Sequence, residues 1–249
     1  MIKILISGAL GKMGANVISA IKEFPETVAV CGIDRVEDLS GSIPVYDDFS
    51  KVNEQVDVVI DFSSPKALDG ISSFISKTGA SAVLCSTGYT QEDIEKIDNA
   101  SKTNAIFRSA NMSLGVNVLI ELVKSAVKKL AGFDIEIIEK HHNLKVDAPS
   151  GTALMLADAV KEVDNDKFYV YGRNGIVGKR DANEIGIHAI RGGNIVGEHD
   201  VIFAGSDEVI TLSHHASDRK VFAFGAVKAS IFVADKKNGL YNMTDLLNG

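Results

Sequence analysis

The chain has 249 residues, of which 45% are hydrophobic and 24% are charged, with 22 glycines and 4 prolines. This composition excludes a disordered, collagen-like or low-complexity chain, and the length allows one or two domains whose cores need no disulfide or metal. The formal net charge of −7 repels nucleic acids and so argues against a general DNA or RNA binder. Any bound anion therefore requires a local group of basic residues.

The first half of the chain alternates short apolar runs with helical patterns. Strands are predicted at 2–7, 28–33, 56–61, 81–85 and 104–108, and helices at 13–24, 66–77 and 91–102. Such an alternation predicts right-handed β-α-β units and a parallel sheet buried on both faces. The predicted fold class is therefore α/β, with a doubly wound parallel sheet.

After about residue 112 the pattern changes. Helices are expected at 113–131, 151–163 and within 217–235, and strands at 133–139, 184–191, 195–204 and 208–214. Strands that follow one another without helices predict an antiparallel or mixed open sheet, hence a second domain of α+β type. The segment 171–183 contains three glycines and three basic residues and is expected to be a long surface loop.

The cysteines and the apolar runs bear on the location of the protein. Cys31 and Cys85 lie inside apolar runs and are interpreted as buried free thiols, which suits a reducing cytoplasm. The run at 1–8 has the length of a strand, not of a signal peptide, and no run approaches the roughly 18 to 20 apolar residues of a membrane span. We expect a soluble, cytoplasmic protein that binds no membrane.

A glycine-rich turn joins the first strand to the first helix. Gly8, Gly11 and Gly14 have the spacing GxxGxxG, at the place where Rossmann-type dinucleotide-binding domains carry their glycines. A side chain there would block the approach of backbone N–H groups to a pyrophosphate, which a helix N-terminus favours. Asp34, at the end of the second strand, suits a ribose diol, and Arg35 suits a 2′-phosphate. The pattern predicts binding of NADH or NADPH, with glycines that merely permit tight packing as the alternative.

The segment 139–153 concentrates groups that transfer protons and bind anions. It contains His141, His142 and Lys145, followed by Pro-Ser-Gly-Thr at 149–152, at the predicted start of a helix. Histidine titrates near neutral pH, and lysine supplies positive charge or a proton. Free N–H groups at the start of a helix bind carboxylates. Together these groups predict a pocket for an acidic substrate.

Other interpretations of this segment are open. A histidine pair can belong to a metal site, but the cysteines are distant in sequence and no HExxH motif is present, so we expect no metal. Either histidine can be structural, Lys140 can be merely solvated, and the Ser-Gly-Thr turn can be only a helix cap. A serine nucleophile is disfavoured because the GxSxG elbow is absent.

The segment 139–153 closely resembles the signature of the dihydrodipicolinate reductase family, also called 4-hydroxy-tetrahydrodipicolinate reductases, of the diaminopimelate and lysine pathway. Further motifs similar to that family follow in order: GALGKMG at 8–14, DFSSP at 61–65, CSTGY at 85–89, SANMSLGVNV at 109–118, RGGNIVGEH at 191–199 and HHASDRKVFAFGAVKA at 214–229. Several motifs in family order are far more specific than one glycine motif.

The resemblance implies the domain organisation and the reaction. Residues 1–112 and 216–249 would form the dinucleotide-binding domain, and residues 113–215 the substrate-binding and oligomerisation domain of a homotetramer. The implied reaction is reduction of 4-hydroxy-tetrahydrodipicolinate, a small dicarboxylate, to tetrahydrodipicolinate by NADH or NADPH with loss of water. The implied roles are proton donor or acceptor for His141, second proton donor for Lys145, and carboxylate contacts for His142, Gly151 and Thr152.

The cofactor residues that the resemblance implies fall into groups. The pyrophosphate would be held by Gly8, Ala9, Leu10, Gly11, Lys12 and Met13, the adenosine ribose by Asp34, a 2′-phosphate by Arg35, and the nicotinamide side by Cys85, Ser86, Thr87, Ser109, Ala110, Asn111 and Met112. Three of these depart from the family pattern: Cys85 replaces a common glycine, Asp34 a frequent glutamate and Lys12 a frequent arginine. The departures bear on cofactor preference more than on the type of reaction.

Two other functions compete with this interpretation. Another two-domain NAD(P)-dependent dehydrogenase of a small acid, such as an aspartate or sugar-acid dehydrogenase, would not need the stretch HHNLKVDAPSGT at 141–152. A regulator that senses NADH is disfavoured because the sequence contains no recognisable DNA-binding element and concentrates general-acid residues.

Overall fold

Two β-sheets organise the chain, one in each of two units. The computed structural model describes residues 1–249. One unit consists of Met1–Leu114 together with Lys220–Gly249, and the other of Gly115–Arg219. The cofactor-binding and substrate-binding roles expected for these units stay predictions.

The strands and helices are numbered in chain order. The strands are β1 (Ile2–Ser7), β2 (Thr27–Ile33), β3 (Val45–Tyr46), β4 (Val58–Asp61), β5 (Ser81–Leu84), β6 (Ala105–Arg108), β7 (Asp134–His141), β8 (Phe168–Tyr171), β9 (Glu184–Arg191), β10 (Gly197–Ala204), β11 (Val209–Ala216) and β12 (Gly239–Tyr241). The α-helices are α1 (Lys12–Ile21), α2 (Leu68–Thr78), α3 (Gln91–Ser101), α4 (Leu114–Lys129), α5 (Gly151–Val163), α6 (Lys220–Ala234) and α7 (Met243–Asn248).

The first unit is built on a seven-stranded parallel sheet in the order β12-β6-β5-β4-β1-β2-β3. Because successive side chains of a strand point to opposite faces, β1 contributes to two cores. Ile4 and Ile6 pack in the core that contains residues of α1 and α6, and Leu5 packs in the core that contains residues of α2 and α3. This sheet confirms the predicted doubly wound α/β class.

The second unit contains a five-stranded mixed sheet in the order β11-β10-β7-β9-β8. The central strand β7 is antiparallel to β10 and parallel to β9. Ile135 and Ile137 of β7 are buried in a core with Val123 of α4 and Val160 of α5. The period of two then places residues 139 and 141 on the same face of the sheet as this core. The predicted mixed sheet is confirmed, and this face carries the polar residues described below.

Four short elements lie outside the predicted pattern. β3 and β12 are edge strands of two and three residues, β8 is a half-exposed edge strand of four, and α7 is a helix of six. Such short segments show no period from which a strand or helix can be predicted. The segment 172–183 contains no regular element, in agreement with the predicted loop.

The prediction for the two cysteines can be checked directly. Cys31 and Cys85 are both buried and are free thiols without a disulfide, as predicted. None of the helices combines the length and the apolar character that crossing a membrane requires.

An added methyl group at Gly225 tests how closely α6 packs on the segment 109–112. A Cβ at Gly225 would lie 1.7 Å from the carbonyl oxygen of Met112, so the helix and the segment would have to separate. We expect Gly225→Ala to lower the free energy of unfolding by about 2 kcal/mol, a value typical of overpacked cores, as measured by urea denaturation. Gly41→Ala is the control, because the nearest atom to its added Cβ lies at an ordinary 3.4 Å. Equal stability of the two variants would contradict this packing.

Candidate functional site

The glycine turn after β1 lies at the carboxyl edge of the parallel sheet, where such folds bind their ligands. Gly8 has a φ of +83°, and a Cβ there would lie 3.1 Å from the backbone of Phe62. A Cβ on Gly14 would lie 2.2 Å from the carbonyl oxygen of Gly8. Gly11 precedes α1 without a side-chain cap, so the first N–H groups of the helix have no side-chain acceptor. Close packing of the backbone therefore requires Gly8 and Gly14, and the uncapped start of α1 presents N–H groups that suit a pyrophosphate.

Asp34 fastens the glycine turn to the end of β2. Its Oδ2 atom accepts a hydrogen bond of 2.9 Å from the backbone N–H of Leu10, and its Oδ1 atom one of 2.8 Å from that of Arg35. A carboxylate has about four acceptor positions, so each oxygen retains one for a ribose hydroxyl. The side chain of Arg35 is exposed beside it.

A cavity of about 1330 Å³ opens along this edge of the sheet. This volume exceeds the 300 to 1,000 Å³ usual for small-ligand sites and so accommodates an extended ligand. Of the predicted residues, it is lined by Gly8, Leu10, Gly11, Asp34 and Arg35. It is also lined by residues without an assigned role in the sequence analysis, among them Phe49, Phe62, Lys66, Phe74 and Lys77. Of these five residues, only Phe62 lies in a motif quoted above, DFSSP at 61–65.

Not every predicted cofactor residue presents its side chain to this cavity. Ala9 is buried in the core, Met13 packs against that core, and Lys12 is exposed at the start of α1. Ala9 and Met13 can therefore contribute to a ligand site mainly through their backbone groups. The segments 85–87 and 109–112 follow β5 and β6 at the same edge of the sheet but do not line the cavity.

The segment after β5 is held by a buried carboxylate. Asp61, at the end of β4, is fully buried and accepts hydrogen bonds from the hydroxyls of Ser63, at 2.5 Å, and Ser86, at 2.6 Å. The side chain of Cys85 lies in the apolar core, where burial and then the charge of Asp61 raise the pKa of its thiol. The departure from glycine at position 85 therefore adds a buried, un-ionised thiol.

The segment after β6 closes into a turn through its own polar groups. The hydroxyl of Ser109 donates to the carbonyl oxygen of Asn111 at 2.8 Å, and the backbone N–H of Asn111 approaches the same hydroxyl at 3.2 Å. Ala110 is exposed, whereas Asn111 and Met112 are buried. Ala110 therefore presents the exposed surface of this turn.

In the second unit, the end of β7 carries the polar residues of the inner face. Glu139 is opposite His199 of β10, and His141 is opposite Arg191 of β9. These residues continue the row of Ile135 and Ile137, so the polar site begins where the apolar core ends. Pairing of strands that are distant in sequence therefore brings the four polar side chains together.

Glu139 is the centre of this group. Its carboxylate is fully buried and accepts hydrogen bonds from Nδ1 of His141 at 2.6 Å, from both Nη atoms of Arg191 at 2.7 Å, and from the backbone N–H of Ser150 at 2.9 Å. Burial opposes ionisation of Glu139, but the bonds from Arg191, His141 and Ser150 outweigh it and lower its pKa. Burial also lowers the pKa of His141, partly offset by the Glu139 charge.

The start of α5 is capped from two sides. The hydroxyl of Ser150 accepts a hydrogen bond of 3.2 Å from the backbone N–H of Ala153, and it lies 3.0 Å from Nε2 of His199. Gly151 is exposed and Thr152 half-buried at the first turn. The predicted helix start at 149–152 is therefore present, and its first turn is reachable by a carboxylate.

The loop after β7 places two further predicted residues. Lys145 forms an ion pair of 2.8 Å with Asp147 and is about four-fifths buried. Nε2 of His142 lies 3.3 Å from a guanidinium nitrogen of Arg219. Lys140, by contrast, lies on the opposite face of β7 between Glu198 and Asp200, so it is ion-paired rather than merely solvated.

Local sequence predicts no role for Glu139, Arg191, His199 or Arg219. Their only signal was membership of the quoted motifs, since they come from separate segments that meet only through strand pairing and the packing of loops.

Two family models and several relatives match nearly the whole chain. The family model described as the dihydrodipicolinate reductase N-terminus matches residues 2–112, and the model for the C-terminus of the same enzyme matches residues 115–247. A 4-hydroxy-tetrahydrodipicolinate reductase of Caldanaerobacter subterraneus subsp. tengcongensis is 54% identical over 248 residues, covering 99% of this chain and 98% of that protein. One from Clostridium novyi is 49% identical over 249 residues, with the same coverage of 99% and 98%.

A solved structure is also similar over nearly the whole chain. The dipicolinate-bound dihydrodipicolinate reductase from Paenisporosarcina sp. TG-14 is 25% identical, has a TM-score of 0.81, and is matched over 97% of both chains.

The buried histidine of β10 makes the stability of the protein depend on pH. Burial, followed by the charge of His141, lowers the pKa of His199 to about 4. The unfolded chain therefore binds a proton more readily than the folded one between pH 6.5 and about 4, so the folded state loses stability as the pH falls through this window. Relative to His199→Gln, we expect the wild type to lose about 2 to 3 kcal/mol more between pH 7 and 4.5, measured by urea denaturation. Parallel pH dependences of the two proteins would contradict this expectation.

Proposed function

This chain belongs to the dihydrodipicolinate reductase family, and on that premise we propose that it reduces 4-hydroxy-tetrahydrodipicolinate to tetrahydrodipicolinate with NADH or NADPH. The 4-hydroxyl leaves as water, and the reaction belongs to diaminopimelate and lysine biosynthesis. One observation carries the proposal. The carboxylate of Glu139 accepts hydrogen bonds both from His141 and from the backbone of Ser150, the residue that precedes α5. A proton-transfer group thus lies beside a carboxylate-binding helix start.

Substrate binding is assigned to the groups around the start of α5. The substrate has two carboxylates, and free N–H groups at a helix N-terminus favour negative charge. We assign one carboxylate to the backbone and hydroxyl groups of Gly151 and Thr152. We assign His142, beside the guanidinium of Arg219, to carboxylate binding as well. These cationic and N–H groups supply the local positive field that the net charge of −7 lacks.

Two protons have to be supplied during the reaction. Loss of the hydroxyl as water places a proton on the leaving oxygen and releases one from the adjacent ring carbon, so this step is proton-neutral. Hydride addition to the remaining conjugated imine then needs a second donated proton, which is the one proton consumed overall. Nδ1 of His141 is engaged by Glu139, so Nε2 is the atom that exchanges a proton with the substrate. The ammonium of Lys145, held by Asp147, is the second donor.

The cofactor would be held in the first unit. The dinucleotide supplies the hydride when bound. Gly8 to Met13 would contact the pyrophosphate through the backbone, and the segments Cys85–Thr87 and Ser109–Met112 the nicotinamide side. Asp34 would accept hydrogen bonds from the adenosine ribose, and Arg35 would pair with a 2′-phosphate, so both NADH and NADPH are used. The homotetramer and the cytoplasmic location stay predictions.

A coupled assay tests the reaction itself. Pyruvate, aspartate semialdehyde and the upstream synthase generate the substrate, and consumption of NADH is followed. We expect turnover by the wild type and near-complete loss in Lys145→Ala, whose affinity for NADH stays within about twofold. Lys140→Ala is the matched control, because this lysine lies on the opposite face of β7. A wild type that binds NADH but shows no turnover would favour another dehydrogenase or an NADH sensor. Full turnover by Lys145→Ala would refute the role of Lys145 as a proton donor.

The cofactor assignment is tested by the two affinities measured in parallel. A charged hydrogen bond contributes about 1.5 to 3 kcal/mol, so Arg35→Ala is expected to raise the Kd for NADPH by about tenfold or more. The Kd for NADH should change less than about twofold. Lys102→Ala, an exposed basic residue away from the cavity, is the control. Equal weakening of both cofactors by Arg35→Ala would show that Arg35 does not contact the 2′-phosphate.

A further inference from the structure

Glu139, the buried carboxylate of β7, contacts both His141 and the start of α5. We propose that Glu139, held by Arg191, is a positioning residue that fixes the ring of His141 and the start of α5 to one another. The inference rests on the proposed function, because it takes His141 as the proton-transfer group and the start of α5 as the carboxylate site.

The hydrogen bonds of Glu139 determine the tautomer of His141. Oε2 lies 2.6 Å from Nδ1 of His141 and 2.7 Å from Nη1 of Arg191, and Oε1 lies 2.7 Å from Nη2 of Arg191 and 2.9 Å from the backbone N of Ser150. These four contacts occupy the acceptor positions of an ionised carboxylate, which has no proton to give. Nδ1 of His141 must therefore carry the hydrogen, and Nε2 is left for the substrate.

A glycine keeps the space beside that second nitrogen open. A Cβ at Gly197, in the first position of β10, would lie only 3.1 Å from Nε2 of His141. Any side chain there would crowd the atom that exchanges the proton. The carboxylate thus orients the ring of His141 on one side, and the glycine leaves Nε2 uncrowded on the other.

Arg191 makes the buried charge of Glu139 tolerable. A fully buried carboxylate without a partner is so costly that it takes up a proton, whereas a bidentate arginine pair satisfies both its charge and its hydrogen bonds. The same guanidinium donates to the carbonyl oxygen of Asp147 at 2.7 Å. Arg191 therefore ties the turn that leads into α5 to the carboxylate that orients His141.

The charged groups around His141 act on its pKa in opposite directions. It faces Glu139 on its own strand, Arg191 on β9, His199 on β10 and Lys145 in the following loop. Burial lowers its pKa, the hydrogen bond and the charge of Glu139 raise it, and the charges of Lys145 and Arg191 lower it again. Removal of the Glu139 charge therefore lowers this pKa further.

The proposal is tested with Glu139→Gln, followed by nuclear magnetic resonance of the histidine rings and by kinetics. We expect the pKa of His141 to fall by about one unit or more and its Nδ1–H tautomer to lose its dominance. The apparent pKa in the pH profile of kcat/KM should fall with it, and kcat should decrease by about tenfold to a thousandfold. NADH affinity should change less than twofold. Glu139→Asp, which keeps the charge, should restore part of kcat and the wild-type direction of the pH profile.

The matched control is Glu198→Gln, a glutamate on β10 that points to the other face and pairs with Lys140. It should leave the tautomer and the pH profile unchanged. If Glu139→Gln does not fold because Arg191 loses its partner, Glu139→Gln/Arg191→Gln removes both charges. The tautomer of His141 is then the signal, because the two lost charges act on the pKa in opposite directions.

An unchanged tautomer and pKa of His141 in folded Glu139→Gln, or an unchanged tautomer in the folded double variant, would overturn the proposal, whatever the loss of activity. The resonance measurement needs no substrate, so its outcome is independent of the reaction. An inactive wild type in the coupled assay, together with the expected change at His141 in Glu139→Gln, would reject the proposed function and keep the positioning role.

Discussion

The polar site of the second unit depends on one buried ion pair, between Glu139 of β7 and Arg191 of β9. The carboxylate has no exposure to solvent, so its charge has to be balanced within the protein. Two hydrogen bonds from the guanidinium provide that balance, and the remaining acceptor positions bind His141 and the backbone of Ser150. Since such a pair is stable only with good geometry, it holds the ends of two strands and the start of a helix in one arrangement.

The first unit meets a different constraint, the close approach of backbone segments to one another. Here the absence of side chains matters, because Gly8 adopts a positive φ and Gly14 lies against the carbonyl oxygen of Gly8. Asp34 and Asp61, at or just past the ends of β2 and β4, the parallel strands on either side of β1, then bind the segments that follow other strands. In both units, a carboxylate next to a strand end orders a loop that local sequence alone would leave undetermined.

The local patterns predicted the parallel sheet, the mixed sheet and the longer helices, because burial on one or both faces leaves a period in the sequence. β3, β8, β12 and α7 escaped prediction because short or half-exposed edge elements show no such period. The same limit applies to the polar site. His141, His142 and Lys145 are recognisable because they lie together in one segment, whereas Arg191 and His199 reach it only through strand pairing.

The sequence by itself determined the fold class, the glycine turn, the family and the residues able to transfer protons, since each is written in contiguous residues. Only the tertiary structure decided which nitrogen of His141 contacts Glu139, and that Lys140 lies on the opposite face of β7. The physical reason is that these outcomes depend on side chains from strands far apart in the chain, whose pairing fixes direction, burial and charge together.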